Sequence, residues 1–319
     1  MKEKAAPSLR RDLKSQLPLQ IFAVMGMIFF LVFSYFPMVG LIIAFKDYRS
    51  ITGFKGFFTS PWTANYGFRH FLALFKDPWF GIMMRNTLGI SLLKLVFSFP
   101  APIIFALALN ELRYNKFKRV VQTISYLPHF ISWVVVYGLV FTFLNTQNGF
   151  VNRLLMDLKI ITGPANILAN SSTYWPLAVI TDVWKGLGWW SIIFLAAITG
   201  IDPVLYDAAR IDGVGRLKCI WHITLPGIRG TITVLLILAI GGIFSGGMGG
   251  SNFEQTFLMG NSVNYQSSMV IGFYAYQMGI LNQRFSFATA VGMFQSIISV
   301  ILVFLSNWAA KKITGEGIY

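Results

Sequence analysis

Few residues in this chain could do chemistry, and most of them sit among apolar neighbours. Asp182 and Lys185 lie three positions apart, so on a helix they share a face and can pair. Charges inside a membrane span are costly. Such a pair is therefore either an ion pair that tightens the helix at a wetted span end or part of a path for a polar solute. At about 1.5 Å of rise per residue, Lys185 stands ~22 Å along the helix from Gly200. Trp184, Trp189 and Trp190 cluster beside the pair. Their rings suit either an aromatic belt at the lipid interface or the weakly apolar face of a sugar. Tyr274, Tyr276 and Gln277 could add hydrogen-bonding groups at the mouth of such a path. Lys94 packs against helix neighbours or faces a water-filled cavity, and His129, beside Pro128, reads as a satisfied polar residue within a bundle. His70 and His222 are too isolated to form a metal site with it. No paired carboxylates, nucleophile–base spacing or metal cluster is visible, so neither a catalytic residue nor a metal ligand is expected. The single Cys219 excludes an internal disulfide and any multi-cysteine metal site.

The elements that must position these residues follow from composition. The 319 residues are 55% hydrophobic and only 12% charged, where an ordinary soluble domain carries about 25% charged residues. A soluble fold would have to expose large apolar patches, which excludes the soluble globular and disordered classes. The chain reads as an all-α polytopic membrane protein forming a single domain over 1–319. Six stretches are long enough to cross a bilayer, near 21–45, 86–110, 121–144, 174–200, 229–248 and 286–310. The first is too long for a cleaved signal peptide, and no small-residue cleavage site follows it. Pro37, Pro100, Pro102 and Pro128 fall inside these spans, where bundle neighbours can satisfy the freed carbonyls.

The net charge of +14 has its explanation in topology rather than in nucleic acid. Segments 1–20, 111–120, 201–229 and 311–319 hold 15 Lys and Arg in 68 residues, against 9 in 106 for segments 46–85, 145–173 and 249–285. The denser set is expected on the cytoplasmic side, so the chain is expected to cross the cell membrane several times with both termini in the cytoplasm. Arg113, Lys116, Lys118 and Arg119 then read as orientation signals or as a specific lipid site. The glycine-rich run 241–250 lacks the Gly-Lys-Ser/Thr ending of a phosphate loop. It reads as close helix packing through small residues or as an unwound span end beside a solute path.

Loop 201–228 has the most informative pattern. Asp202 before Pro203 is a helix N-cap followed by proline at the first helical position. A short helix Val204 to Ile211 is expected, then a glycine turn at Gly213 or Gly215. A second short helix from about Leu217 should present Leu217, Ile220, Trp221 and Ile223 as an apolar stripe and stop at Pro226. Two short half-apolar helices joined at a glycine elbow look like a docking surface. The spacing Asp207-Ala208-Ala209, Asp212-Gly213, Ile223, Leu225-Pro226 resembles the "EAA" loop of ABC importer permeases. The chain departs from that pattern in having Asp207 where Glu is usual and Val214 where Ala is usual.

The resemblance covers nearly the whole chain and is greatest to the carbohydrate-uptake, maltose-transport-type branch, within it the lipoprotein-associated complex-oligosaccharide group. Tyr35-Phe36-Pro37-Met38-Val39-Gly40 with Ala44-Phe45-Lys46-Asp47-Tyr48, the stretch Gln122 to Trp133, and Ser286-Phe287-Ala288-Thr289-Ala290 with Asn307-Trp308 carry it. It implies one half of a permease heterodimer with a second homologous permease subunit and two ATP-binding subunits. It also implies an extracellular lipid-anchored solute-binding protein and an oligosaccharide substrate. ATP and Mg would then sit on the partner ATPases, with no cofactor on this chain. In agreement, the sequence contains no Gly-x-x-x-x-Gly-Lys-Ser/Thr. A permease for a non-sugar solute fits the same loop. A stand-alone secondary transporter or channel has no use for a docking loop and commonly shows an inverted repeat. A membrane enzyme would need a buried cluster of acids or histidines.

Two long loops, 46–85 and 249–285, are expected to receive the binding protein. In the first, Phe71, Leu72, Phe75, Trp79, Ile82 and Met83 recur at helical spacing from Phe68 to Thr87. That stretch reads as an ordered amphipathic segment, against partner or against lipid.

Overall fold

In lipid the backbone must satisfy its own polar groups, and a helix does so within one segment. The computed structural model describes residues 16–315, 317 and 318; residues 1–15, which hold the five amino-terminal cations that help to orient the chain, lie outside the described residues. Among the described residues the regular elements are all helical, with one isolated bridge between Lys46 and Trp62.

Helix α1 (Leu17–Phe45) leaves its apolar side chains from Leu17 to Val39 exposed. It contains a wide turn, Leu31–Tyr35, just ahead of Pro37. That widening suits a ring that cannot donate a hydrogen bond and crowds the preceding turn. The short α2 (Arg69–Phe75) follows, then α3 (Phe80–Asn110), α4 (Asn115–Phe130), α5 (Trp133–Leu144) and α6 (Phe150–Asp157). Next come α7 (Ser171–Thr199), α8 (Pro203–Ile211), α9 (Arg216–Gly227), α10 (Arg229–Gly241) and α11 (Asn252–Met259). Helices α12 (Ile271–Tyr276) and α13 (Phe285–Thr314) complete the order.

Four helices, α1, α3, α7 and α13, are each long and apolar enough to cross a membrane, and the number reaches six if the bent pairs α4–α5 and α9–α10 each count as one span. Two expected spans are corrected. The stretch 121–144 is not one helix, because α4 and α5 meet at 101°. Ile131 and Ser132 are extended there, and Ser132 Oγ accepts from the Val135 amide at 3.3 Å to start α5 afresh. Nor does helix fill 229–248. It ends at Gly241, and the glycine run continues as turns with positive φ at Gly246, Gly247 and Gly250. A third correction concerns Phe68 to Thr87, which breaks between α2 and α3. Asp77 Oδ1 accepts from the Trp79 amide at 2.9 Å, and Pro78 blocks continuation. The segment is ordered, and Phe75 packs edge-on against Phe294 of α13 at 5.5 Å.

Helix α7 is the axis of the bundle, packed against both halves of α3 and against α4. Its partners form two apolar clusters. One gathers Ile90, Ala178, Phe244 and Phe287, the other Phe99, Phe194, Ile198 and Ile228. On α3 the clusters are separated by Lys94 and on α7 by Asp182, so a polar layer lies between two greasy ones.

Candidate functional site

That polar layer is a closed knot. Lys94 Nζ donates to Ser251 Oγ at 2.6 Å, Asn252 Oδ1 at 2.8 Å and Gln255 Oε1 at 2.8 Å, and stands 3.6 Å from Asp182 Oδ1. Ser251 Oγ in turn donates to Asp182 Oδ1. The two amides pass the network on: Asn252 Nδ2 donates to Ser91 Oγ at 2.8 Å, and Gln255 Nε2 to the Ala178 carbonyl at 2.8 Å. All three ammonium protons are used, and Lys94 and Asp182 are both buried. A charge taken out of water is tolerable only when paired and fully hydrogen-bonded, and here it is both. The expectation that Asp182 pairs with Lys185 is therefore corrected. Asp182 turns to α3, while Lys185 turns to α4.

Lys185 Nζ donates to the carbonyls of His129 at 2.6 Å, Ile131 at 2.8 Å and Pro128 at 3.3 Å, and lies 5.7 Å over the Trp133 ring. The elbow strips the last carbonyls of α4 of their intrahelical partners, and an ammonium at that negative end satisfies both charge and geometry.

Between knot and elbow opens a cavity of about 240 Å³, walled by α3, α7, the elbow and the glycine run. Asp182, Lys185, Trp190 and His129 line it together with Lys94, Trp133 and the stretch Gly246 to Gly249. A Cβ on Gly249 would lie 2.9 Å from Asp182 Oδ1, so only a bare backbone can pass the carboxylate there. The glycine run is thus an unwound end beside a cavity. It also packs closely, since a Cβ on Gly241 would strike Val303 at 2.3 Å.

Other expected path residues lie elsewhere. Trp184 is exposed away from the cavity, and Trp189 stacks face to face with His129 at 4.3 Å outside the lining. Tyr274 is buried, its hydroxyl donating to Asp77 Oδ2, and Tyr276 joins Phe253 and Phe257 in an aromatic group. Gln277 begins the wide turn Gln277–Leu281. None of the three borders the cavity, because α12 is held against the apolar cluster rather than at an open mouth. Sequence reasoning missed Ser251, Asn252 and Gln255. Their spacing at the start of α11, where Ser251 is the N-cap residue and Thr256 follows, is one polar helix face in an apolar chain, and that signal was available.

Loop 201–228 folds much as its pattern implies. Asp202 Oδ1 accepts from the Val204 amide at 3.0 Å, Pro203 opens α8, and the elbow residue is Gly213 at φ +70°. The Tyr206 hydroxyl meets Thr224 Oγ1 at 2.9 Å and ties α8 to α9. Asp207 pairs with Arg210 at 3.1 Å, fully at the surface, leaving both free to exchange partners. Ile211, Leu217 and Trp221 are 87%, 82% and 70% exposed, an apolar display that none of the described residues covers. Two details stand out, the second a correction. Ala209 is buried within the chain while Ala208 is exposed, so the two do not share one outward face. Pro226 does not stop α9; a wide turn, Ile220–Thr224, precedes it, and the break falls at Ile228. Asp212 caps the end of α8, and Ile223 and Leu225 face partly inward.

The family model described as "Binding-protein-dependent transport system inner membrane component" matches residues 98–315. Protein LplB of Bacillus subtilis (strain 168) is 43% identical over 302 residues, covering 94% of this chain and 91% of its own length. The polygalacturonan/rhamnogalacturonan transport system permease protein YteP of the same strain is 44% identical over 297 residues, 92% of this chain and 88% of its own. A crystal structure of a bacterial alginate ABC transporter in complex with alginate pentasaccharide-bound periplasmic protein contains a chain that superposes with a TM-score of 0.84 at 36% identity. It covers 97% of this chain and 99% of that one.

Proposed function

The chain belongs to the binding-protein-dependent transport system inner membrane components, non-catalytic permease subunits of ABC transporters, and from that premise we propose that it imports a carboxylated oligosaccharide. The observation that carries the substrate class is the likeness, over nine-tenths of the chain, to systems named for polygalacturonan and alginate, both chains of uronic acids. The central cavity supports the reading. Its Trp190 ring offers a flat face to a pyranose, and Lys185 supplies a cation with no carboxylate within ion-pair distance among the described residues.

In this reading the chain forms half of the path, a second homologous permease subunit the other half. The α8–α9 hairpin faces the cytoplasm, where two ATPases carrying ATP and Mg take Ile211, Leu217 and Trp221 into a cleft. Both termini are then cytoplasmic, and the opposite end of the bundle meets a lipid-anchored binding protein loaded with sugar. The exposed length of α1 is covered by lipid or by the second permease. Uptake of a labelled uronate oligosaccharide and of a neutral one of equal length, by cells with and without this chain, tests the proposal. Dependence on the chain for the uronate sugar alone is expected. Equal dependence for both, or for neither, overturns it.

A further inference from the structure

A second cavity, of about 590 Å³, opens between the 47–70 region and the start of α13. It lies at the end of the bundle opposite the α8–α9 hairpin, since α3 runs away from it for 31 residues, about 45 Å of helix. Its walls are tied across: the Tyr48 amide donates to Ser286 Oγ at 3.1 Å, and Ser286 Oγ donates to the Lys46 carbonyl at 2.7 Å. Lys46 itself is spent on the Phe57 and Phe58 carbonyls, at 2.8 and 3.0 Å.

The charge inside is unbalanced. Arg49, Arg69 and Arg284 line the cavity with a single carboxylate, Asp47. Arg69 lies 3.7 Å from that carboxylate, whereas Arg49 and Arg284 have no carboxylate within ion-pair distance among the described residues. Arg284 instead rests 4.6 Å over the Phe287 ring. On the inner wall, His70 Nε2 is buried 3.5 Å from Asp47 Oδ1 without a hydrogen-bond partner. A guanidinium fork matches a carboxylate in two parallel bonds, and two such forks lining one cavity invite an acidic guest.

Resting on the binding-protein partner proposed above, we infer that this cavity receives a carboxylate-bearing surface loop of that protein, engaged by Arg49 and Arg284. A protein is the better guest than the sugar. The cavity shares no lining residue with the central one, and its arginines stand on the rim, where charges set orientation and association rate.

The test uses the whole importer in proteoliposomes, with surface-immobilised binding protein and association measured at low and high salt. Arg49→Glu with Arg284→Glu is expected to slow low-salt association about tenfold and to flatten the salt dependence. Arg49→Gln with Arg284→Gln, which removes charge without reversing it, should fall between. Exchanging an acidic residue of the binding protein's docking loop for Lys should restore the reversed variant. Wild-type association and salt slope in both double variants overturn the inference. So does normal association combined with a raised KM for the uronate sugar, which would make this a sugar subsite. Failure of the wild-type importer to bind any binding protein would instead sink the partner reading itself, and the inference with it.

Discussion

Two regions of this molecule hold charge in opposite ways. In the knot, Lys94 and Asp182 are buried, and every ammonium proton has an acceptor from the α11 region, with Asp182 of α7 as the counter-charge. On the α8–α9 hairpin, Asp207 and Arg210 touch each other in open solvent beside exposed Leu217 and Trp221. The first region is finished and can only be damaged. The second is left open, with its apolar side chains uncovered among the described residues. Burial thus separates residues satisfied within the chain from residues displayed at its surface.

The largest effect is expected where the knot loses one partner. Lys94→Met leaves Asp182 buried and uncompensated, which should cost about 3–5 kcal/mol. Asp182→Asn combined with Lys94→Met should cost clearly less than the sum of the singles, since the two sites are coupled. Thermal unfolding of the purified complex in detergent reads both. A single Lys94→Met variant as stable as wild type would break the distinction drawn between the regions.

Next comes Trp190, which lines the cavity, against Trp189, which does not. Trp190→Ala should remove roughly 1–3 kcal/mol of interaction with sugar, by analogy with exposing a large buried side chain. Transport should fall while assembly holds, and Trp190→Phe should be tolerated better. Trp189→Ala should instead loosen the stack on His129 and leave sugar handling near normal. Equal uptake in both alanine variants would reduce the tryptophans to packing.

On the hairpin, Gly213→Leu tests the elbow. A Cβ there meets nothing within 4 Å, so the penalty is not a clash; it is backbone strain at φ +70°. That strain is about 1–2 kcal/mol for an L-residue. Membrane insertion should survive, and ATP hydrolysis should lose its coupling to uptake. Uptake near wild type in that variant would show that the elbow plays no part in coupling.

Legibility in the sequence divides along the same line. The hairpin could be read because its determinants are local: Asp202 caps two residues on, and Gly213 turns the chain at its own position. The knot could not, because its bonds join residues 69 to 161 positions apart. Asp182 and Lys185 are helix neighbours, yet better partners from distant elements claim each. The elbow between α4 and α5 was hidden for another reason. Hydrophobicity runs through Ile131 and Ser132 without pause, and hydropathy alone does not distinguish a straight span from a bent one. Its local signals were Pro128 and a serine placed to cap α5.

The smallest effect concerns His70, on α2, whose imidazole closes the inner wall of the arginine-lined cavity. Burial holds its pKa below the ordinary 6.5, and Arg69 and Arg284 push the same way. The Lys46 backbone hydrogen bond and Asp47 oppose them without prevailing. The native protein therefore keeps His70 neutral at pH values where the unfolded chain has already bound a proton. By linkage, stability is whole above about pH 6.5 and declines as pH falls toward the lowered folded value. The loss should be local, since α2 is a short helix held by Phe45, Phe71 and Phe75 ring contacts. Hydrogen exchange on 69–75 between pH 7.5 and 5.5, corrected for the intrinsic pH dependence of exchange, should show protection falling in wild type. His70→Gln, which cannot titrate, should show no such fall. Parallel behaviour of the two proteins would mean that the imidazole is only a filler of space in this wall.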